Sequence, residues 1–347
     1  MALRLDDLAA VVARLLNTMI TSMRVVSVGE RALVVRAWAE GVGPVVIKHQ
    51  TAGPGYATAE RAALSLMSRA GCEGVPRVLA AGRTVWVLED LGDRSLGALL
   101  VAGEPQRARA VLVEAAGRLG GVHAIATRLV APYLRAEGPD RRAPEAEQLE
   151  AVLPRLVRAL APLGVRVPKE LVDRFEEVAT RLASPGPWAT LTMGDPHPGN
   201  VVVSERGPVW VDWEKAGVRH ALYDVVGFRF GPSYPAEVVA AMEQAWRVGF
   251  ATTCPVAADD TVFGRELRCL AAHRCWLTVS GLLPTALRED FDLMGGLTAR
   301  QAVLLTLEQA EELELGEPAG ALRGALRERW SDVPAYTSPF VALEGAA

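Results

Sequence analysis

The segment MGDPHPGN at residues 193–200, together with VDWE at 211–214, decides how this sequence is best interpreted. Two short apolar runs on either side of a polar turn lie between these segments and predict a β-hairpin. Such a hairpin returns Asp212 to the turn that carries Asp195 and Asn200. Two carboxylates and one amide then form an oxygen-rich set of the kind that Mg²⁺ and phosphoryl transfer require. On the turn alone, the simpler explanation is that both aspartates bond to turn amides.

Around this hairpin, the chain divides into a strand-rich part and a helical part. Three β-branched runs separated by Gly-containing turns, one helix and two further short runs predict an antiparallel sheet over about residues 21–90. The rest of the chain is predicted to be mostly helical, with Pro and Gly between the helices. The predicted strands cover 24–28, 32–38, 44–49, 77–80 and 84–89, and the predicted helices cover 58–70, 105–129, 145–161, 168–183, 219–230, 235–251, 259–283, 298–314 and 318–330.

These elements predict an α+β fold with two lobes. The N-terminal lobe, residues 1–91, begins with an amphipathic helix at about 5–20 and contains the small antiparallel sheet with its one helix. The C-terminal lobe, residues 92–347, is larger and mostly helical, and a short connector near 89–92 joins the two.

Composition and charge narrow the classes of function. Half of the 347 residues are hydrophobic and the net charge is −4, which argues against a nucleic-acid-binding protein. No stretch is long and apolar enough for a membrane span, and Asp6 and Asp7 interrupt the apolar residues at the start, which argues against a signal peptide. The four cysteines form no CxxC pair, so we expect reduced, buried thiols and a cytoplasmic protein. Cys269, His273 and Cys275 offer only three metal ligands, short of a closed tetrahedral set.

Lysine is unusually scarce in this sequence. Of the 37 basic residues three are lysines, Lys48, Lys169 and Lys215, so the other 34 are arginines. A GC-rich coding bias explains the scarcity, and it should replace lysine wherever arginine serves as well. A retained lysine is therefore a candidate for a site that needs a compact ammonium group.

The longer pattern around the hairpin resembles a known family. Gly-Asp-x-His-Pro-Gly-Asn, a short hairpin, Asp-Trp-Glu-x-Ala-Gly and then Tyr-Asp are similar to the aminoglycoside phosphotransferase and choline kinase-like family. In element order the resemblance extends over most of the chain. It implies a protein-kinase-like bilobal fold and an ATP-dependent transfer of phosphate to a hydroxyl group of a small molecule, an aminoglycoside or another antibiotic being one candidate acceptor.

The resemblance also implies roles for the residues of this pattern. Asp195 is the catalytic aspartate, while Asn200 and Asp212 hold Mg²⁺. Asp224 is a structural aspartate that supports the catalytic loop, and His197 shapes that loop. One departure stands directly before Gly194-Asp195, where this chain has Met193 and the family usually has His. Methionine fills similar space without the hydrogen bond.

The small lobe is expected to bind the nucleotide. Lys48 lies on the third predicted strand and Glu60 in the following helix, which matches the strand Lys and helix Glu of kinase-like folds. The resemblance implies that Lys48 contacts the α- and β-phosphates of ATP and that Glu60 holds Lys48 in position. Considered one at a time, each residue is explained equally well as a solvent-exposed charge without a function. No GxGxxG is present, and backbone amides near Gly29 are expected to reach the phosphate oxygens. Adenine is expected to bond to the backbone of Glu89 and Leu91, where the lobes join.

The acceptor cannot be named from the sequence. Glu214, next to Asp212, is the acid most readily placed near a cationic acceptor, and acid-rich stretches at 259–260, 289–292 and 308–314 favour an acidic cleft. His123 resembles the histidine of a family helix that ends in Leu-His and is interpreted as buried and structural. The expected partner is a small-molecule hydroxyl compound, with no nucleic acid and no membrane, and the protein is a monomer or a homodimer. A kinase-fold scaffold without transfer activity is the alternative.

Overall fold

The computed structural model describes residues 4–51, 56–102, 104–141, 146–166, 169–230, 234–294, 296–312, 317–338 and 343. An N-terminal helix and five strands come first, with one helix between the third and fourth strands. The bounds are α1 Leu5–Leu16, β1 Ile20–Val28, β2 Ala32–Ala39, β3 Gly43–Gln50, α2 Tyr56–Arg69, β4 Val78–Ala81 and β5 Val85–Glu89. The strands form one antiparallel sheet in the order β1-β2-β3-β5-β4. The α+β class, with a small antiparallel sheet before a helical remainder, is confirmed.

The two faces of the sheet have different roles. On β3, Val45 and Ile47 are buried and pack with Leu8 and Val12 of α1. The alternate residue Lys48 points to the opposite face, because successive side chains of a strand alternate. The sheet therefore buries one face under α1 and turns the other toward the helical part of the chain.

The first helix is shorter than the sequence predicts. Asn17 caps α1 in the left-handed conformation, with φ of 53°, and β1 begins at Ile20. Asparagine tolerates this conformation better than most residues, which makes it a common helix end. The predicted helix to about residue 20 and the predicted strand start at residue 24 are both wrong for this reason.

The rest of the described chain is mostly helical and shares one large core with α2. Its helices are α3 Leu96–Val101, α4 Pro105–Ala126, α5 Val130–Glu137, α6 Ala146–Leu160, α7 Lys169–Ala183, α8 Leu222–Val225, α9 Ala236–Phe250, α10 Asp260–Ala286, α11 Ala299–Glu312 and α12 Glu317–Arg329. Its strands are β6 Ala189–Thr192, β7 Val201–Ser204, β8 Gly207–Trp210, β9 Gly217–His220, β10 Asp292–Met294 and β11 Leu297–Thr298.

Two small ribbons interrupt these helices. The predicted hairpin is confirmed as β7 and β8, paired with Val201 opposite Trp210. A second ribbon joins β6 to β9, and it overturns the helix predicted to start at residue 219. The sequence pattern did not identify β9, because its four residues, Gly217–His220, are too few to show the alternation of a strand. The β6–β9 pairing places the segment that follows the hairpin beside the strand that leads into Gly194-Asp195.

The cysteines are free and buried, as expected from their spacing. Among the described residues no group of three or more His, Cys, Asp and Glu side chains is arranged to hold a metal ion, so Cys269, His273 and Cys275 form no such site. In the part of the chain that the structure covers, every helix is too short or too polar to cross a membrane.

Helices α4 and α9 cross at a contact that requires glycine. A Cβ atom on Gly120 would lie 2.2 Å from the carbonyl oxygen of Trp246, whereas a Cβ on Gly121 would meet nothing within 4 Å. On the α9 side the contact also needs a glycine, since a Cβ on Gly249 would lie 2.7 Å from the Gly121 nitrogen.

We expect Gly120→Ala to destabilise the protein by about 1–3 kcal/mol, because the added methyl forces the two helices apart. Gly121→Ala is the matched control, and it should leave stability unchanged or raise it by about 0.5–1 kcal/mol through helix propensity. Urea unfolding of the two variants measures the difference. Equal stabilities would show that the helices separate without cost.

Candidate active site

An ammonium group between two carboxylates joins the sheet to the hairpin. Lys48 Nζ lies 2.7 Å from Glu60 Oε1 and 2.9 Å from Glu60 Oε2, and it lies 3.1 Å from Asp212 Oδ1. The backbone N–H of Trp213 also donates to Glu60 Oε1, at 3.3 Å. Two consecutive elements, β3 and α2, therefore meet the distant end of the β7–β8 hairpin at one charge.

Lys48 remains charged in this setting. Burial opposes the charged form, but the Glu60 and Asp212 carboxylates outweigh that effect and raise the pKa of the ammonium above its ordinary value. The Lys48 side chain is 13% exposed, the Glu60 side chain 3% and the Asp212 side chain 45%. The ammonium is therefore open to solvent on the side of Asp212.

The predicted catalytic loop is held by its own backbone. The Asn200 side-chain amide donates to the Asp195 carbonyl oxygen at 3.0 Å, and the Asn200 N–H donates to the His197 carbonyl at 2.9 Å. The His197 ring accepts from the Gly199 N–H at 3.1 Å, so His197 is engaged in shaping the turn. Because the amide nitrogen of Asn200 is used inside the loop, its oxygen is the atom left to bind a ligand.

Asp212 has an unusual backbone conformation. Its φ is 63°, in the left-handed region, and Asn17 is the other described non-glycine residue with a positive φ. A non-glycine residue in this region stores about 1–3 kcal/mol of strain, and such strain occurs often at functional sites. The Val211 N–H donates to the Asn200 carbonyl at 2.8 Å, so Asp212 directly follows a residue bonded to the predicted catalytic loop.

A buried carboxylate supports the loop from below. Asp224 is fully buried and accepts from the N–H of Met193 and of Gly194, each at 2.9 Å. His123 Nε2 lies 3.1 Å from the same carboxylate, and Trp246 Nε1 donates to His123 Nδ1 at 3.1 Å. The indole N–H makes Nδ1 the acceptor, so Nε2 carries the proton and donates to Asp224. Asp224 thus receives three donors.

Met193 takes part in this support through its backbone. Its side chain is fully buried in the large core, and its N–H is one of the two that Asp224 accepts. The described loop is therefore positioned without a histidine side chain at residue 193.

A cavity of about 590 Å³ opens between the sheet and this loop. It brings together most of the residues that the sequence assigned to nucleotide and metal: Lys48, Glu60, Glu89, Leu91, Asn200 and Asp212. A neighbouring cavity of about 380 Å³ is lined by the β1–β2 turn, including Gly29, and by Glu214. The Gly29 N–H already donates to the Ala32 carbonyl at 2.9 Å within that turn.

An arginine that the sequence analysis missed braces the connector at Glu89. Arg206, in the β7–β8 turn, donates to the Glu73 carbonyl at 2.9 Å and to the Val75 carbonyl at 3.1 Å, and it pairs with the Glu89 carboxylate. Arg77 binds the other Glu89 oxygen at 2.8 Å. The Glu89 side chain is therefore engaged in tying the sheet to the hairpin. Arginines are so numerous in this sequence that no signal distinguished this one.

Two further charge pairs stand at the site. Glu214, predicted to face the acceptor, receives a hydrogen bond from Arg31 of the β1–β2 turn at 2.5 Å. Lys215, which had no predicted role, lies with its Nζ 2.6 Å from Asp195 Oδ2. The motif search missed Lys215 because its residue type is not part of the quoted pattern.

The acid-rich stretches are largely engaged elsewhere. Asp259 caps α10 by accepting from the Val262 N–H at 3.0 Å, and Asp260 pairs with Arg247 at 2.7 Å. Glu311 is bound by Arg323 at 2.7 Å. These acids serve helix ends and helix packing, so they do not support the expected acidic cleft.

The fold is that of kinase-like phosphotransferases. The chain belongs to the phosphotransferase enzyme family APH, whose family model matches residues 22–256. The family supports a small-molecule phosphotransferase and leaves the substrate open. No curated protein matches the chain in sequence.

Solved structures agree on the fold. The chain is similar in structure to an aminoglycoside phosphotransferase, APH(2'')-IIa, in a ternary complex with streptomycin and ATP, at 11% identity and a TM-score of 0.52, over 92% of this chain and 98% of that one. It is also similar to Plasmodium vivax ethanolamine kinase, at 10% identity and a TM-score of 0.52, over 83% and 82% of the two chains. Choline kinase from Cryptosporidium parvum Iowa II gives 10% identity and a TM-score of 0.50, over 90% and 93%. The resemblance in the sequence is thereby confirmed.

The support from Asp224 can be tested by removing its charge. Asp224→Asn should destabilise the protein by about 1–3 kcal/mol, because an amide group cannot accept all three buried donors. Asp173→Asn, at a 55% exposed carboxylate paired with Lys169, is the control and should change stability by no more than about 0.5 kcal/mol. Thermal unfolding compares them, and equal transitions would mean that the buried network contributes nothing.

Proposed function

We propose that the protein is an ATP-dependent phosphotransferase that moves the γ-phosphate to a hydroxyl group of a small molecule. The observation that carries this proposal is the chain of contacts from Glu60 through Lys48 to Asp212, on the wall of the same cavity as Asn200 of the catalytic loop. A cation for the nucleotide phosphates and oxygen ligands for a metal thus share one cavity, and the Asn200 side chain on its wall is bonded to the Asp195 carbonyl.

The residues present fit a magnesium ion. Mg²⁺ commonly binds one or two carboxylates together with substrate phosphates and water, so Asp212 and the Asn200 amide oxygen are sufficient protein ligands. These two residues are the ones that would hold it. When bound, Mg²⁺ neutralises charge on the β- and γ-phosphates.

Lys48 has the geometry of a nucleotide-binding residue. Its ammonium is oriented by both oxygens of a nearly buried carboxylate and stays protonated, so its charge is fixed before ATP arrives. A charge that is already in place needs no reorganisation during the reaction. Lys48 is therefore assigned to the α- and β-phosphates.

Asp195 is assigned to the acceptor. Its backbone carbonyl is bonded to Asn200, and its side chain is about a third exposed, which leaves the carboxylate accessible to an incoming hydroxyl. The carboxylate orients the hydroxyl and takes its proton as the acceptor oxygen bonds to the γ-phosphorus. The bond from the γ-phosphorus to the bridging oxygen breaks, and ADP leaves with that electron pair.

The acceptor is proposed to be a cationic alcohol, with Glu214 as its contact. One structural neighbour is in a complex with streptomycin and two are named for choline and ethanolamine, and all three compounds combine hydroxyl groups with positive charge. Glu214 lies at the edge of the site and would exchange its bond with Arg31 for a bond to the acceptor.

A screen for acceptor-dependent ADP formation tests the proposal directly. Aminoglycosides, other antibiotics, choline, ethanolamine, amino alcohols and neutral sugars are offered with ATP and Mg²⁺, and turnover is expected on a cationic member. ATP binding without turnover on any compound would favour a nucleotide-binding scaffold instead.

Two carboxylate variants separate chemistry from binding. Asp195→Asn should lower kcat by about 10²- to 10⁴-fold, because the base is lost, and should leave ATP binding nearly unchanged.

Asp212→Ala should weaken Mg²⁺-dependent ATP binding, measured by calorimetry with and without EDTA. Parent-like turnover of Asp195→Asn, or unchanged metal-dependent binding of Asp212→Ala, would contradict the respective assignment.

Lys48→Arg tests whether a compact cation is needed. The broad guanidinium cannot keep both the Glu60 and the Asp212 contacts in the space of an ammonium. We expect kcat/KM for ATP to fall by roughly 10- to 100-fold, equal to about 1.4–2.7 kcal/mol of lost transition-state stabilisation. Steady-state kinetics at varied ATP measures this, and parent-like values would remove Lys48 from the phosphate site.

A further inference from the structure

Lys215 contacts the predicted catalytic carboxylate directly. Its Nζ lies 2.6 Å from Asp195 Oδ2, a separation typical of a strong charge-assisted hydrogen bond. The two residues come from different segments, since Asp195 follows β6 and Lys215 lies between β8 and β9. Among the described residues, this contact is the one that engages the Asp195 carboxylate.

The backbone holds Lys215 in place. Gly194 has a φ of +82°, and a Cβ atom there would lie 2.7 Å from the Lys215 carbonyl oxygen, so the two segments pack backbone against backbone. The next residue, Ala216, donates to the Trp213 carbonyl and accepts from the buried Tyr133 hydroxyl, both at 2.9 Å. The starting point of the Lys215 side chain is therefore fixed relative to Asp195.

The catalytic loop itself supplies no lysine or arginine. Between residues 193 and 200 its one basic group is His197, whose Nδ1 accepts the Gly199 N–H. Lys48 contacts a carboxylate other than that of Asp195, namely Asp212, and the Lys48 side chain is only 13% exposed. Lys215 is 41% exposed and therefore open to a ligand, and an ammonium has three N–H donors, of which Asp195 takes one.

Phosphoryl transfer is accelerated by positive charge close to the reacting phosphorus. In the transition state, negative charge is spread over the three outer oxygens of the moving phosphoryl group, and fixed donors that meet this charge lower the barrier. Lys48 and the metal ligands lie on the nucleotide side of the site. Beside Asp195, on the acceptor side, Lys215 is the cation that the structure places in contact with the base.

We propose that Lys215 is a second catalytic lysine, which orients the Asp195 carboxylate and donates a hydrogen bond to the phosphoryl group as that group passes to the acceptor oxygen. The proposal rests on the proposed phosphotransferase function. Lys215 keeps its own proton throughout. The acceptor proton goes to Asp195, the new bond joins the acceptor oxygen to the γ-phosphorus, and the broken bond leaves its electrons with ADP.

The alternative is that the Lys215–Asp195 contact is an ordinary surface ion pair. Pairs that are 41% and 35% exposed contribute little to stability, so removing Lys215 should leave the thermal transition unchanged in either case. Activity therefore distinguishes the two explanations, and the loss must fall on kcat rather than on nucleotide binding.

The experiment compares Lys215→Met with Lys169→Met. Lys169 makes a pair of almost the same length, 2.7 Å to Asp173, on the exposed surface of α7. On the acceptor found by the screen, Lys215→Met should lower kcat by about 10²-fold or more, as expected for one lost transition-state donor. Its KM for ATP, nucleotide Kd and Tm should stay close to those of the parent. Lys169→Met should match the parent in all four measurements.

Chemical rescue of a cysteine variant distinguishes a catalytic role of Lys215 from a merely structural one. Lys215→Cys is alkylated with 2-bromoethylamine, which rebuilds a side chain of lysine length with a terminal ammonium, or with iodoacetamide, which adds a neutral amide. The four native cysteines are at most 3% exposed, and burial raises the pKa of Cys72 to about 11, so the new exposed thiol reacts selectively. The aminoethylated protein should recover most of the lost kcat, and the amide derivative should recover none.

The outcomes separate this proposal from the function on which it rests. Parent-like kcat in Lys215→Met, loss of ATP binding in place of kcat, or equal recovery with both alkylating agents overturns the role of Lys215 and leaves the phosphotransferase intact. An unmodified parent that binds ATP and transfers phosphate to no acceptor and not to water overturns both.

Discussion

The Lys48 ammonium, held between Glu60 and Asp212, is the interaction on which the described architecture depends. It is the point where the sheet, the α2 helix and the β7–β8 hairpin share one charge. A buried ion pair is weak evidence for stability, since desolvation of the two charges offsets most of their attraction. Its value here is positional, because removing any one partner would leave an uncompensated charge at the centre of the site.

A second network fixes the predicted catalytic loop from the side of the core. Asp224 accepts two backbone N–H groups and the His123 ring, and Trp246 determines which nitrogen of that ring carries the proton. Fully satisfied networks of this kind hold one conformation, because any displacement leaves a buried donor or acceptor unpaired. The same tryptophan contacts the α4 helix through the close approach at Gly120, so loop geometry and helix packing are coupled.

The remaining charge pairs connect the two sides of the cavity at its edges. Arg206 binds Glu89 at the connector, and Arg31 binds Glu214 near the β1–β2 turn. The first pair is mostly buried on the Glu89 side and ties the sheet to the hairpin. The second is more exposed, so it can break when a ligand enters at a smaller cost in free energy. The ion pair beside the larger cavity, at the connector, is therefore the more buried one, and the ion pair beside the neighbouring cavity, at the β1–β2 turn, is the more easily broken.

Local patterns in the sequence determined much of this protein: alternation predicted the sheet and the hairpin, and the spacing of Asp195, Asn200 and Asp212 predicted their convergence, because these features depend on neighbours in the chain. The tertiary structure alone decided that β9 pairs with β6, that Arg206 braces Glu89, and that Lys215 reaches Asp195. The first two contacts join segments that no local period or motif pairs, because a strand edge or a charged side chain carries no record of its partner. Lys215 lies three residues after Asp212, at a position where the motif Asp-Trp-Glu-x-Ala-Gly specifies no residue type.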